Sequence, residues 1–153
     1  MKLTEHFWLA ELCKSQTAER RGIDNTPSGD AVLKFREVCE RVLEPVRAQF
    51  GVPVIPSSGF RCAELNRAIG GSDKSQHVSG EAVDFEVAGV SNIEVCRWIA
   101  DHLTFDQLIL ECYDPKAGGN SGWVHASWNE WPDARGQVLS YSRKDGYTAG
   151  LVG

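Results

Sequence analysis

The sequence predicts an α+β fold in which an antiparallel sheet packs on one face against helices. Residues 82–87, AVDFEV, alternate with a period of two, as a half-buried strand does. The segments FDQLILECY and GWVHASW flank a loop rich in proline and glycine, which is typical of a β-hairpin. After Asp30, apolar residues recur every three or four positions, as in an amphipathic helix. A sheet and helices of this kind bury their apolar faces against each other.

The first half of the chain is predicted to be mainly helical. A helix-like pattern over residues 5–13 precedes SQTAERRGIDNTPSGD, which reads as a polar, turn-rich connection. A long helix then runs from Asp30 to Gly51, where glycine can end it, and Pro45 is expected to kink or break it. VPVIPSSGF predicts a short strand, and CAELNRAIGG predicts a short helix.

The second half is predicted to hold most of the sheet. Asp84 lies on the face of AVDFEV opposite its apolar residues, and Ser91 is the expected N-cap of a helix over 91–102. If the midpoint of the hairpin lies near Gly118, Glu111 and His125 face each other across it, whereas a one-residue slip would put them on opposite faces.

The length of the chain predicts one domain over residues 1–153, with a loose C-terminal tail after about residue 140. The hydrophobic content of 42% and charged content of 24% are typical of a soluble globular protein, and no apolar run is long enough to span a membrane. The net charge of −5 argues against nucleic acid as a partner. The N-terminus mixes charges into its apolar positions, unlike a secretory signal, so a cytoplasmic protein is expected.

The five cysteines are scattered and include no CxxC pair. We therefore expect small buried hydrophobes in a reducing compartment rather than a thiolate zinc cluster.

Three residues form a candidate metal site. His77, Asp84 and His125 would supply two imidazoles and one carboxylate, which suit Zn²⁺ and leave a fourth position for water. The alternative is that His77 caps a loop, Asp84 ends a strand and His125 is a half-buried histidine bonded to backbone. The spacing lacks the HExxH pattern and leaves both interpretations open.

The stretch SGFRCAELNRAIGGSDKSQHVSGEAVDFEV, followed later by WVHASW, resembles the zinc D-alanyl-D-alanine carboxypeptidase and phage endolysin family of peptidoglycan peptidases, which shares a fold with the hedgehog signalling domain. The resemblance extends back to LAELCKSQTAERRGIDNTP and covers about residues 3–130. The residues that match the metal-binding pattern of the family are Ser75, His77, Gly80, Ala82, Asp84, Trp123 and His125.

The resemblance implies one zinc ion held by His77, Asp84 and His125, and water-mediated hydrolysis of a peptide bond. Such a reaction needs a carboxylate that is not a ligand to accept and return a proton. Many members of the family place a glutamate three residues before the last histidine, and here Gly122 stands at that position. We predict Glu111 as the replacement, because the hairpin can bring it beside His125. Its alternative is an exposed carboxylate at a strand end, and Glu86 and Glu81 are further candidates for the base.

Arg61 matches the family arginine that pairs with a substrate carboxylate, and the alternative is an arginine in a surface ion pair. Ser75 and Gln76 are expected either to bond the substrate or to shape a turn. Tryptophans near His125 either line a groove, with Trp123 in contact with substrate, or belong to the core: Trp123, Trp128 and Trp131. The other histidines, His6 and His102, are predicted to be structural.

Three functions remain open on the sequence. The first is a monomeric zinc peptidase that acts on peptidoglycan peptide, either trimming a terminal D-alanine or cleaving inside the stem peptide as an L-alanyl-D-glutamate-type endopeptidase does. The second is a catalytically idle wall-binding or signalling module that keeps the zinc, and Gly122 is the feature that favours it. The third is a structural domain without metal. The first would fit a phage or prophage lysin that reaches the wall after release, with no membrane or nucleic-acid partner.

Overall fold

The computed structural model describes residues 1–117, 120–130 and 133–152. The helices within these ranges are α1 (Leu9–Cys13), α2 (Gln16–Arg21), α3 (Gly29–Val38), α4 (Glu44–Phe50), α5 (Ala63–Ala68), α6 (Gln76–Ser79) and α7 (Asn92–His102). A π-helical turn, Cys39–Leu43, joins α3 to α4. The strands are β1 (Val54–Ser58), β2 (Ala82–Val87), β3 (Gln107–Glu111), β4 (Trp123–Ser127), β5 (Gln137–Ser142) and β6 (Gly146–Ala149).

The six strands form one sheet in the order β1-β2-β4-β3-β5-β6. The α+β prediction is confirmed, but the sheet is not wholly antiparallel, because β3 and β5 run parallel. After Ser127 the chain passes β3 and starts β5 beside Gln107. Since β4 is antiparallel to β3, a strand that reverses direction after β4 must run parallel to β3.

The hydrophobic core lies between one face of the sheet and the helices. In β2, Val83, Phe85 and Val87 are buried in this core, and Asp84 points to the opposite face, as the alternation predicts. The helical partners of the sheet come from α3, the π-helical turn, α4 and α7; the largest of them are Phe35, Val42, Leu43, Val46 and Ile99. Each such side chain stabilises the fold by about 1.5–3 kcal/mol through burial.

The predicted long helix is confirmed, and its interruption has a physical reason. Proline lacks an N–H, and its ring clashes with the carbonyl four residues earlier in a regular helix. Pro45 stands in the first turn of α4, directly after the π-helical turn, in which the Glu44 N–H bonds the Cys39 carbonyl five residues back. The helix ends where Gly51 adopts a left-handed φ of 68°.

Two local predictions are corrected. The helix expected over 5–13 comprises only Leu9–Cys13, and the polar connection after it contains α2. The Ser15 side chain caps α2 by accepting a hydrogen bond from the Ala18 N–H. Ala18 is the one buried residue of α2, so the segment carries almost no apolar periodicity.

The loose tail expected after residue 140 is also wrong for the residues up to 149. Leu139 pairs with Ala149 and Tyr141 with Tyr147, so β5 and β6 extend the sheet. Most of β6 is exposed, and an exposed edge strand shows little of the alternation that predicts a strand.

In the described ranges, no helix is both long enough and apolar enough to cross a membrane. All five cysteines are free thiols, and the expected burial is found for Cys39 and Cys96 but is only partial for the other three. Burial raises the pKa of both the Cys39 and the Cys96 thiol to about 12.

Candidate metal centre and active site

His77, Asp84 and His125 come together on the sheet face that points away from the helical core. His77 Nε2 lies 3.4 Å from Asp84 Oδ1, and His125 Nδ1 lies 2.9 Å from the same oxygen. One donor atom from each residue falls within 4.8 Å of the other two, an arrangement that could hold a metal ion. We call these three residues the metal group.

The strand register places two members of the metal group side by side. Asp84 of β2 pairs with His125 of β4. Burial alone would raise the pKa of the Asp84 carboxyl, but the hydrogen bond from His125 and the nearby His77 imidazole outweigh it and hold this pKa well below its usual range. Asp84 is therefore a carboxylate at neutral pH, as a metal ligand must be.

His77 reaches the sheet from the short helix α6. Its Nδ1 lies 2.7 Å from the carbonyl oxygen of Gly59, so a proton on Nδ1 is donated to that carbonyl and Nε2 keeps its lone pair. The His77 side chain is 3% exposed, which fixes the ring in this orientation. A backbone carbonyl behind a ligand histidine is a common way to set its tautomer.

The metal group fits zinc. Tetrahedral zinc with bonds of about 2.0–2.2 Å separates its ligand atoms by about 3.3–3.6 Å. The 3.4 Å separation between His77 Nε2 and Asp84 Oδ1 falls in this range, and the 2.9 Å separation between His125 Nδ1 and the same oxygen is that of a hydrogen bond, which a bound ion would replace. Two imidazole nitrogens and one carboxylate oxygen are also ligands that zinc accepts at catalytic sites.

The metal group lines a cavity of about 500 Å³ that we call the site cavity. The eight residues predicted as metal ligands, catalytic base or substrate contacts all line it: Arg61, Ser75, Gln76, His77, Asp84, Glu111, Trp123 and His125. Several further lining residues were not predicted from the sequence, among them Lys74, Gln107, Ile109, Arg135 and Tyr147.

Glu111 is near His125 but not directly opposite it. Glu111 pairs with Trp123, and Ile109 pairs with His125, so the predicted pairing of Glu111 with His125 is corrected by two residues along one strand. Gly118, the predicted midpoint of the hairpin, lies outside the described residues. The register differs by two residues along one strand, so Glu111 stays on the same face as His125 and becomes its diagonal neighbour.

The charge of Glu111 is affected by the metal group. Burial raises the pKa of its carboxyl, and the negative charge of Asp84 raises it further. The proximity of His125 and of Arg61 acts in the opposite direction without cancelling the increase. Glu111 is thus a half-buried carboxyl that other charged groups of the site cavity influence.

The two other carboxylates considered as bases lie outside the lining of the site cavity. Glu81 pairs with Lys34 at 2.9 Å and accepts a hydrogen bond from Gln76. Glu86 accepts hydrogen bonds from the side chains of Asn92 and Asn120. Neither glutamate lines the site cavity.

The backbone around Gly122 explains why this chain has no glutamate at the position where many members of the family place one. Its φ of 71° lies in the left-handed region. A β-carbon on Gly122 would collide with the backbone carbonyl oxygen of Glu111 and stand 2.7 Å from the carbonyl carbon of Cys112. Residue 122 therefore has no room for a side chain.

Arg61 is a half-buried cation at the wall of the site cavity. Its Nη2 donates a 3.4 Å hydrogen bond to Ser75 Oγ, and its buried Nε has no partner among the described residues. Burial lowers the pKa of Arg61, and the nearby carboxylates of Asp84 and Glu111 raise it in part. No carboxylate forms an ion pair with Arg61 in the described ranges, so the surface ion pair considered as an alternative is absent there.

Ser75 and Gln76 both shape the turn that presents His77. Ser75 Oγ accepts a hydrogen bond from the His77 N–H at the start of α6. The Gln76 side-chain amide donates a 2.7 Å hydrogen bond to Asp106. Both residues still line the site cavity, so a role in binding substrate remains compatible with their positions.

Trp128 does not line the site cavity, and its ring packs against the guanidinium of Arg41. Trp131 is outside the described residues. His6 pairs with Glu44, and His102 stacks on Trp98. Neither histidine lines the site cavity, in line with the prediction that both are structural.

Comparison with known proteins identifies the family. No curated protein matches the chain. The family model described as Peptidase M15 matches residues 5–126, which include Arg61, the metal group and Glu111. This is most of the chain and agrees with the resemblance seen in the sequence blocks. The chain therefore belongs to the M15 family of zinc peptidases.

Proposed function

We propose that this protein hydrolyses the stem peptides of bacterial peptidoglycan with one zinc ion per chain. The observation that most supports the proposal is the site cavity, where the metal group, a carboxylate that is not a ligand and a partly buried arginine share one wall. A metal site, a proton acceptor and an anion-binding group together are what a zinc peptidase that acts on an acidic peptide would use. The bond cleaved is either that of the terminal D-alanine or one inside the stem, of the L-alanyl-D-glutamate type.

His77 Nε2, His125 Nδ1 and a carboxylate oxygen of Asp84 would hold the zinc. When bound, zinc supplies a Lewis acid that polarises a peptide carbonyl and lowers the pKa of water to about 7. The protein contributes the fixed His77 tautomer and a strand register that keeps Asp84 beside His125. Both features organise the ligands before the ion arrives.

Glu111 is the proposed general base. Its carboxylate lies one diagonal step from His125 and is not a member of the metal group. In the proposed reaction a carboxylate oxygen of Glu111 accepts a proton from the attacking water and returns it to the leaving amine. Glu81 and Glu86 are less suited to the role, since neither of them lines the site cavity.

Arg61 is the proposed anchor for a substrate carboxylate. A guanidinium can grip both oxygens of a carboxylate, and Arg61 has a buried N–H for which the described residues offer no partner. The Ser75 hydroxyl beside it can turn toward the same group, and the Trp123 ring offers an apolar wall.

One observation favours a second function, that of an idle zinc-containing module that binds the wall or takes part in signalling. The position usually taken by a base in this family is Gly122, and this position cannot carry a side chain. If Glu111 does not replace the missing base, zinc and substrate could bind without turnover.

The test is a digest of purified peptidoglycan with the zinc-loaded protein, with mass spectrometry of the soluble products. Loss of a single D-alanine identifies a carboxypeptidase, and a new amino terminus within the stem identifies an endopeptidase. His77→Ala protein provides the control for metal-independent contaminants. Intact peptidoglycan after incubation with fully zinc-loaded protein would contradict hydrolysis and favour the idle module.

A further inference from the structure

Two residues at the site cavity come from the part of the chain beyond the family match. The Peptidase M15 model covers residues 5–126, whereas Arg135 precedes β5 and Tyr147 lies in β6. Both line the site cavity together with the metal group. The C-terminal segment therefore contributes to the binding surface of this chain, and Tyr147 does so from the part after residue 140 that the sequence predicted to be a loose tail.

Arg135 is held rigidly. Its Nε and Nη2 donate two parallel hydrogen bonds of 2.8 Å to Oδ1 and Oδ2 of Asp106, and its backbone N–H also bonds Oδ1. Asp106 is 1% exposed and accepts a further hydrogen bond from Gln76. The hydrogen bonds from Arg135 are the main cause of the lowered pKa of Asp106, so the partner of Arg135 stays ionised.

The same guanidinium still has hydrogen-bond donors available. Arginine has five N–H donors, and the contacts with Asp106 use two of them. Nη1 of Arg135 makes no hydrogen bond within the described ranges, and the side chain is 53% exposed toward the site cavity and solvent. A preorganised cation loses less entropy on binding than a mobile one, such as the exposed Lys74 at the same cavity.

The strand register places Arg135 at a definable distance from the metal group. His125 is level with Ile109 of β3, and Asp106 lies three residues before Ile109. At about 3.4 Å per residue, the Asp106 end of β3 is about 10 Å from the level of the metal group. Glu111 lies beyond Ile109 in the opposite direction. In an extended peptide cleaved at the metal group, a side group two or three residues from the cleaved bond would reach Arg135.

We propose that Arg135 forms a second carboxylate subsite, which binds an acidic group of the substrate distinct from the one bound by Arg61. The inference rests on the proposed function, since it takes the substrate to be a stem peptide with more than one carboxylate. The carboxylates near Arg61 are those of Asp84 and Glu111, whereas Arg135 is bonded to Asp106, so the two arginines serve different parts of the site cavity.

The experiment compares three stem pentapeptides: one with all carboxylates free, one amidated at the α-carboxylate of D-glutamate, and one amidated at the C-terminus. Arg135→Gln should raise KM for the free peptide about 10- to 100-fold, the range expected for a lost hydrogen bond to a charged group. The value of kcat should stay within about threefold. For the peptide in which amidation has removed the carboxylate that Arg135 binds, parent and variant should have the same KM.

Arg143→Gln is the matched control, because it removes the same charge from an exposed position between β5 and β6 that does not line the site cavity. Its KM values should equal those of the parent. Zinc content measured on each variant separates a binding effect from disturbance of His77 through Gln76. If Arg135→Gln does not fold, Arg135→Lys preserves the charge but loses the two-point contact, and a smaller increase in KM is expected.

An unchanged KM for all three peptides would overturn the subsite, as would a loss of kcat and zinc at constant KM. If the parent hydrolyses no stem peptide, the proposed function fails, and calorimetric binding of the same peptides to zinc-loaded protein then decides the subsite separately. The subsite is supported if Arg135→Gln binds the free peptide at least tenfold more weakly than the parent does, and if parent and variant bind one of the amidated peptides equally well. Equal affinities in parent and variant contradict it.

Discussion

The backbone carbonyl oxygen of Glu111 occupies the space into which a side chain on Gly122 would project. This contact connects the end of β3 to the start of β4, where the two residues lie just before and after the hairpin connection. The fold therefore excludes a glutamate at 122 and presents one at 111, on the same face of the sheet as His125. The position of the proposed base and the shape of this turn are two aspects of one local structure.

Restoring the common family glutamate should harm this protein. Gly122→Glu is expected to destabilise the fold by about 2–5 kcal/mol, because a left-handed φ and a steric collision both oppose a side chain. Urea denaturation measures the free energy of unfolding, and peptide hydrolysis should not increase.

Gly89 provides the matched control for backbone strain. It has the same φ of 71° as Gly122, but a β-carbon there would meet no atom within 4 Å. Gly89→Ala should therefore cost about 1–2 kcal/mol, and Gly122→Ala clearly more. Equal costs for the two alanine variants would show that Gly122 is not constrained by the Glu111 carbonyl.

Each member of the metal group should be needed for zinc. His77→Ala, Asp84→Ala and His125→Ala should each lose the metal on dialysis and abolish hydrolysis, because two remaining ligands bind zinc weakly. Elemental analysis of the dialysed proteins is the measurement, and His102→Ala, which lies away from the cavity, is the control. A variant that keeps one zinc per chain identifies a residue that is not a ligand.

Arg61→Lys should affect catalysis more than folding. Lysine keeps the charge but cannot make a planar two-point contact, so kcat/KM for carboxylate-bearing peptides should fall about 10- to 100-fold. Arg67→Lys, at an exposed position on α5 outside the site cavity, should behave like the parent. An equal loss on a peptide amidated at the carboxylate in question would assign Arg61 another role.

Asp106 should make the fold sensitive to acid. Its pKa is lowered in the folded state, mainly by the hydrogen bonds from Arg135, so its contribution is complete above the unfolded pKa of about 3.9 and lost as pH falls through the folded value. Asp106→Asn should cost about 1.5–3 kcal/mol at pH 6, and parent and variant should converge toward pH 2. Denaturation curves between pH 2 and 6 test this, and a gap independent of pH would contradict it.

Much of the site could be predicted because its residues carry local patterns. The alternation in AVDFEV fixes the face on which Asp84 lies, and the family blocks single out His77 and His125. Local signals do not fix register, however. The pairing of Glu111 with Trp123 rather than His125 depends on how the hairpin connection folds, and a register shift of two residues leaves each side chain on the same face of the sheet.

The part that could not be predicted is the C-terminal contribution. Tyr147 is 62% exposed on an edge strand, so no apolar alternation marks β6 in the sequence. Arg135 enters the site through a long-range pair with Asp106, 29 residues away, and such pairs leave no periodic trace. The excess of charged residues around 143–145 also favours a tail when read alone.

Glu111→Gln is the decisive test of whether a zinc peptidase site operates here with Glu111 as its base. The substitution removes the proton acceptor while keeping the size of the side chain. We predict an unchanged melting temperature, one zinc per chain and a rate of stem-peptide hydrolysis lowered about 10²- to 10⁴-fold. Near-full activity in Glu111→Gln, with Glu86→Gln or Glu81→Gln inactive instead, would contradict it.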